Sequence, residues 1–181
     1  MSRFWCVVPA GGVGKRMASQ VPKQYLALQG KTIAETTLEK LLRLANVEKI
    51  IVAVSEEDEV WPTLGVSQDA RICRCPSGAE RVNSVLNGLI HLSSIADSED
   101  WVLVHDIARP CVRIDDVLRL MQQASQPQWG GLLGPPLSDT LKKVDELGGV
   151  TDTIDRQADW RAFTPQMFKL GQLKRAIEHS L

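Results

Sequence analysis

An apolar run, Phe4-Trp5-Cys6-Val7-Val8, passes directly into Pro9-Ala10-Gly11-Gly12-Val13-Gly14-Lys15-Arg16-Met17, with Pro22-Lys23-Gln24-Tyr25 just beyond. A short continuous apolar stretch of this kind reads as a strand buried on both faces, as in parallel sheets. The glycines that follow let the backbone turn tightly and aim its N–H groups at a ligand. From Ala10 to Gln29 there is no Asp or Glu, whereas Lys15, Arg16 and Lys23 contribute cations. A strand that ends in a glycine-rich, acid-free, cationic loop is the start of an α/β unit suited to a polyphosphate. The competing reading is an ordinary βα turn whose cations are merely solvated. The absence of acids and the second cation site at Lys23 favour phosphate.

Two commoner phosphate loops do not fit. A P-loop requires Gly-x-x-x-x-Gly-Lys-Ser/Thr. Here Pro9 stands where its first glycine belongs, and Arg16 occupies the position of the hydroxyl residue. A dinucleotide fingerprint begun at Gly12 has Gly14 in second place but Met17 in third.

Strand and helix signals then alternate. Thr32-Ile33-Ala34-Glu35 is a capping box opening a helix to about Ala45. Lys49–Ser55 reads as a second strand, followed by a short acidic segment from Glu56 to Leu64, and Arg71–Cys75 as a third strand. Ser77-Gly78-Ala79-Glu80 reads as another capping box. The helix after it carries Val82, Val85, Leu86, Leu89 and Ile90 as an apolar stripe. Trp101–His105 is a fourth strand, Asp115–Ala124 a further helix, and Gly130–Pro135 a fifth strand weakened by glycine. This alternation predicts a three-layer α/β/α, Rossmann-like fold with a largely parallel sheet, and a single domain over residues 1–181. Residues 138–156 break the rhythm. Two polar, β-branched runs, Thr140–Val144 and Val150–Ile154, flank Asp145-Glu146-Leu147-Gly148-Gly149 and predict a hairpin. Two strands alone are marginal in water, so this arm needs something to pack on.

Composition narrows the partners. The chain is 44% hydrophobic with a formal net charge of −1, which argues against bulk nucleic-acid binding and makes the cationic character local. No apolar run approaches the ~20 residues of a membrane span, and the short apolar start is no secretory signal. Cys6, Cys73, Cys75 and Cys111 lack zinc spacing and read as reduced thiols of a cytoplasmic protein.

Ligands of open α/β sheets lie beyond the carboxyl ends of the strands. The fourth strand ends in His105-Asp106-Ile107-Ala108-Arg109-Pro110, which brings Asp106 and Arg109 toward the crevice of the glycine loop. Asp106 could hold Mg²⁺ bridging phosphate oxygens, and Arg109 could grip a phosphate; a loop-fixing ion pair is the alternative. Gly78, Ala79 and Arg81 stand at a third strand end, where a helix N-terminus favours anionic atoms.

Together, the glycine-loop and Pro22–Tyr25 motifs, Ser77–Val85, Val104–Pro110, Asp139-Thr140 and Thr153-Ile154-Asp155-Arg156 resemble the 2-C-methyl-D-erythritol 4-phosphate cytidylyltransferase family. The resemblance runs from Val7 to Phe168. It implies transfer of the cytidylyl group of CTP to methylerythritol phosphate with release of pyrophosphate, assisted by Mg²⁺. By resemblance, Arg16 and Lys23 stabilise the transition state, while Lys15 and the amides of Gly12 and Gly14 hold the triphosphate. Asp106 lies at metal and substrate with Arg109 beside it. Main-chain groups near Ala10, Gly11 and Gly78 read cytosine, helped by Ser84. The resemblance also implies a homodimer whose arm delivers Thr140, Arg156 and Thr164 to the partner's pocket. Ile107 stands where relatives usually have alanine. A cytidylyltransferase for another alditol phosphate, such as ribitol phosphate, and a silent nucleotide-binding subunit are the competing readings. The chain stops at Arg175–Leu181 within an amphipathic helix, where relatives continue with a further strand and a substrate-binding lysine. The expectation is therefore a chain incomplete at its C-terminus and weakened as a catalyst.

Overall fold

The computed structural model describes residues 3–12, 21–126 and 129–181. Strand β1 (Phe4–Pro9) sends alternate side chains to two separate cores: Cys6 and Val8 to one, Trp5 and Val7 to the other. β4 (Val47–Val54) and β6 (Trp101–Val104) split in the same way. An apolar run without alternation is what a strand covered on both faces requires. Helices α1 (Ile33–Leu42) and α3 (Ile114–Ala124) supply Leu38, Leu41, Val117 and Leu120 to the first core. α2 (Arg81–Leu92) and α4 (Leu170–Ser180) supply Val85, Leu89, Leu92 and Leu170 to the second. The three layers expected from the sequence are present.

With β5 (Ile72–Pro76), β7 (Gly131–Leu132) and β10 (Gln166–Lys169), the sheet order is β5-β4-β1-β6-β10-β7. Pairings among β5, β4, β1 and β6 are parallel, and β10 runs antiparallel to both its neighbours. From β1 the chain builds outward to β4 and β5, then returns to add β6 on the other side. That reversal at β1 opens a crevice beyond its carboxyl end. A two-stranded ribbon, β2 (Ala27–Leu28) and β3 (Lys31–Thr32), precedes α1.

Several local expectations need correction. Thr32 and Glu35 do form the capping box of α1, but the cap of α2 is Glu80 rather than Ser77. The Ser77 N–H instead continues the sheet by donating to the Val54 carbonyl at 3.0 Å. The buried face of α2 is Ser84, Val85, Gly88, Leu89 and Leu92, and Ile90 is half exposed. Gly88 sets this rotation: a Cβ there would stand 2.5 Å from a Val7 methyl, so the helix lies directly against β1. The fifth strand shrinks to Gly131–Leu132. Beyond it Leu133 and Pro135 accept hydrogen bonds from the Phe163 and Arg161 N–H groups, making a ribbon that leads out to the arm. The arm is the expected hairpin, β8 (Leu141–Val144) with β9 (Val150–Ile154), and none of its strand residues is buried.

Candidate active site

At the carboxyl ends of β1 and β6 lies an open cleft of about 1130 Å³, lined by Gly11, Gly12, Lys23, Gly78, Ala79, Arg81, Ser84, Asp106, Arg109 and Thr164 among others. Gly14, Lys15 and Arg16 fall outside the described residues. The floor is set by close backbone approach: a Cβ on Gly11 would meet Ser77 at 2.3 Å, so the glycine turn packs against the loop between β5 and α2. Among the described residues nothing lies within 4 Å of the Gly12 Cβ position, and Gly12 lines the cleft.

Ala10 does not line the cleft. Its N–H donates to the Ala53 carbonyl at 2.8 Å, and its carbonyl accepts from Gln24 Nε2 at 3.0 Å. Gln24 is buried and escaped the reading of the sequence. It ties the short helical turn Lys23–Tyr25 to the first strand's end and so fixes where Lys23 stands. Ser84 braces the opposite wall, accepting from the Gly78 N–H at 3.0 Å and donating to the Glu80 carbonyl at 3.2 Å.

Asp106 sits between two guanidinium groups. Arg81 Nε donates to Oδ1 at 2.8 Å and Arg109 Nε to Oδ2 at 2.9 Å. Both arginine side chains are about half exposed (50% and 52%), so neither pair contributes much to stability. The arrangement leaves one excess positive charge, with Lys23 on the same cleft. Such a cluster attracts an anion and can hand its guanidinium groups to phosphate oxygens. The donor chemistry at Asp106 fits Mg²⁺, a hard cation that takes one or two carboxylates and completes its shell with phosphates and water. Ile107, beside it, turns its side chain into the first core at 5% exposure.

The residues assigned to the arm divide. Thr140 and Arg156 come together in a separate groove, and the Arg156 guanidinium donates to the Ser138 carbonyl. Thr164 is not carried on the arm; it lines the chain's own cleft, 3.0 Å from His105 Nδ1. The chain has already returned along the ribbon by this point, a tertiary fact that motif spacing does not encode. His105 is wholly buried, and desolvation lowers its pKa despite nearby hydrogen bonds and Asp106.

A largely parallel α/β sheet with a cationic cleft at its topological switch point defines a phosphate-handling enzyme of the nucleotidyltransferase type. The family model for IspD, 2-C-methyl-D-erythritol 4-phosphate cytidylyltransferase, matches residues 4–181, and the chain belongs to that family. It is 49% identical over 179 residues to the 2-C-methyl-D-erythritol 4-phosphate cytidylyltransferase of Pseudomonas fluorescens (strain Pf0-1), covering 98% of this chain and 76% of the relative. The Pseudomonas aeruginosa (strain PAO1) enzyme of the same name is 46% identical over the same shares. Among solved structures, the Francisella tularensis enzyme superposes with a TM-score of 0.83 at 36% identity, covering 98% of this chain and 77% of that one. A 4-diphosphocytidyl-2C-methyl-D-erythritol synthase superposes at 0.87 with 31% identity, covering 100% and 81%.

Proposed function

We propose that this cleft carries out its family's reaction, CTP plus 2-C-methyl-D-erythritol 4-phosphate giving 4-diphosphocytidyl-2-C-methyl-D-erythritol and pyrophosphate in isoprenoid synthesis. The observation that carries the reading is the convergence of Lys23, Arg81, Asp106 and Arg109 on one cleft beside the glycine turn. A phosphate oxygen of the polyol phosphate attacks the α-phosphorus of CTP, the bond to the β-phosphate oxygen breaks, and pyrophosphate leaves. No covalent nucleophile is needed; in-line positioning and neutralised charge are. Lys23 and Arg16 offset charge developing on the α-phosphate, and Lys15 holds the departing phosphates. Arg81 and Arg109 exchange the Asp106 carboxylate for substrate phosphates. Asp106 would hold Mg²⁺, which would supply Lewis-acid neutralisation of phosphate charge. Fixed main-chain groups at Gly11 and Gly78 face the base, and Ser84 keeps the Gly78 loop in position.

The arm acts across a homodimer, presenting Thr140 and Arg156 to the partner's cleft. Support comes from its exposed Val144, Val150 and Ile154, with no residue of the hairpin strands buried by its own chain. The protein works in the cytoplasm: two of its thiols are buried, and among the described residues no helix is long and apolar enough to cross a membrane. Pyrophosphate release measured with each nucleoside triphosphate, with and without methylerythritol phosphate, tests the reaction. Release only with CTP and only with the polyol phosphate is expected. Equal turnover of CTP and UTP, or release without the acceptor, refutes it. Light scattering at micromolar concentration tests the dimer, and a lasting monomer refutes it.

A further inference from the structure

The turn that carries Lys23 is tied down on two sides. Gln24 holds it to the Ala10 carbonyl at the end of β1. Tyr25, the next residue, is buried in the first core and donates its hydroxyl to Asp58 Oδ2 at 2.6 Å. Asp58 lies in the acidic segment just beyond β4, and its surroundings make it a firm post. Its other oxygen accepts from the Val60 and Trp61 N–H groups at 3.0 and 2.9 Å. Its own N–H donates to the Ser55 carbonyl at 3.1 Å, and Arg74 of β5 donates to the Ser55 and Glu56 carbonyls. The Lys23 side chain, by contrast, is exposed, so where its ammonium stands is set by the turn beneath it.

We propose that Asp58 is a positioning residue for cytidylyl transfer, acting through the Tyr25 hydroxyl to hold the Lys23 turn at the cleft. The inference rests on reading Lys23 as a group that offsets charge on the α-phosphate of CTP. A preorganised charge lowers a barrier only when it already stands in place, and a misplacement of about 1 Å can cost ~10²-fold in rate. Gln24 fixes the turn against β1, and Tyr25 fixes it against the segment that follows β4. Ties at adjacent residues to two different posts leave the turn little freedom to swing. The acidic segment thereby acts on the reaction at one remove, with no contact to substrate required.

Amide exchange reads the tie without turnover. The N–H groups of Tyr25 and Leu26 donate to the Pro22 and Lys23 carbonyls at 2.8 and 3.3 Å, inside the turn. In Tyr25→Phe, exchange at positions 25 and 26 is expected to rise roughly tenfold, with β1 and β6 unchanged. Unchanged exchange in the turn overturns the proposal, whatever the turnover. Kinetics then follow the effect to Lys23. Tyr25→Phe and Asp58→Ala are each expected to lower kcat roughly tenfold and to leave KM for CTP and for methylerythritol phosphate within about threefold. Tyr25→Phe keeps the ring in the core, so it carries the test should Asp58→Ala, which also frees two N–H groups, fail to fold. A Lys23→Ala background has already lost the group being positioned, and there Tyr25→Phe should cost less than about twofold more. A tenfold loss in both backgrounds would mark the hydroxyl as general scaffold and overturn the proposal. Lys23→Ala at wild-type turnover would sink the reading of the site and this inference with it. An impaired Lys23→Ala beside an unimpaired Tyr25→Phe would overturn this inference alone.

Discussion

The central sheet and the hairpin arm are both made of β-strands, yet opposite physics holds them. In β1 and β6 eight interior residues, Trp5 to Val8 and Trp101 to Val104, are buried, each between two layers of helices. In β8 and β9 none is, and the arm is held by its ladder and by Asp145. The Asp145 carboxylate accepts from the Leu147 and Gly149 N–H groups at 3.0 and 2.7 Å. The sheet draws stability from area removed from water, the arm from local turn chemistry. A rigid frame suits residues that must keep fixed distances, and the cleft hangs on it. A lightly held ribbon suits a part that completes its packing on another molecule.

The largest expected effect tests that contrast. Leu38 is fully buried between α1 and the sheet. Truncating such a leucine loses both transfer energy and packing, so Leu38→Ala should lower unfolding free energy by about 2–5 kcal/mol in urea titrations. Ile154→Ala on the arm, at 43% exposure, should stay within ~0.5 kcal/mol at concentrations that disfavour association. Similar losses at the two sites would erase the distinction.

Next in size, Lys23→Ala should reduce turnover by about 10²–10³-fold, the usual effect of removing one preorganised charge donor. The melting temperature should hardly move, because Lys23 is exposed. A decline of only a few-fold would make Lys23 a solvated loop charge.

Much of this contrast was legible beforehand. Unalternating apolar runs gave the sheet away, and two β-branched runs around Asp145–Gly149 gave away the hairpin. Other parts were hidden for physical reasons. β10 (Gln-Met-Phe-Lys) flows into α4 with no turn residue between them, so nothing marks its end. The apolar stripe of α2 points too far toward Ile90 because hydrophobicity undervalues Gly88, whose worth lies in close approach to Val7. In the site, Lys23, Asp106 and Arg109 could be assembled from strand ends alone. Gln24, His105 and the location of Thr164 could not, since each depends on a contact between segments far apart in the fold.

Asp100 supplies a middle-sized test of the frame. Burial opposes its ionisation. The N–H groups of Arg3, Trp5 and Asp97, at 2.9, 3.0 and 3.1 Å, together with the Arg3 guanidinium, outweigh that and lower its pKa. A carboxylate with a depressed folded pKa stabilises above its unfolded pKa, and the stabilisation is lost as pH falls through the folded value. Asp100→Asn turns an amide NH₂ toward these donors and should cost about 1–3 kcal/mol at neutral pH. The wild-type and variant stability curves should converge on the acid side of the usual aspartate range. A gap that persisted unchanged into acid would place the effect in packing rather than charge.

The smallest effect belongs to the arm. Gly148 has φ of +83°, and a Cβ there would meet nothing within 4 Å among the described residues. Steric contact is therefore irrelevant, and Gly148→Ala probes backbone preference alone, worth about 1–2 kcal/mol against a left-handed L-residue. Because the arm shares little with the core, that penalty should be read locally. Amide exchange in Leu141–Val144 and Val150–Ile154 should accelerate by about 5–30-fold, while exchange in β1 and β6 and the melting temperature stay put. A melting temperature that fell in step with arm exchange would mean that hairpin and sheet unfold as one unit, and the division between the two regions would fail.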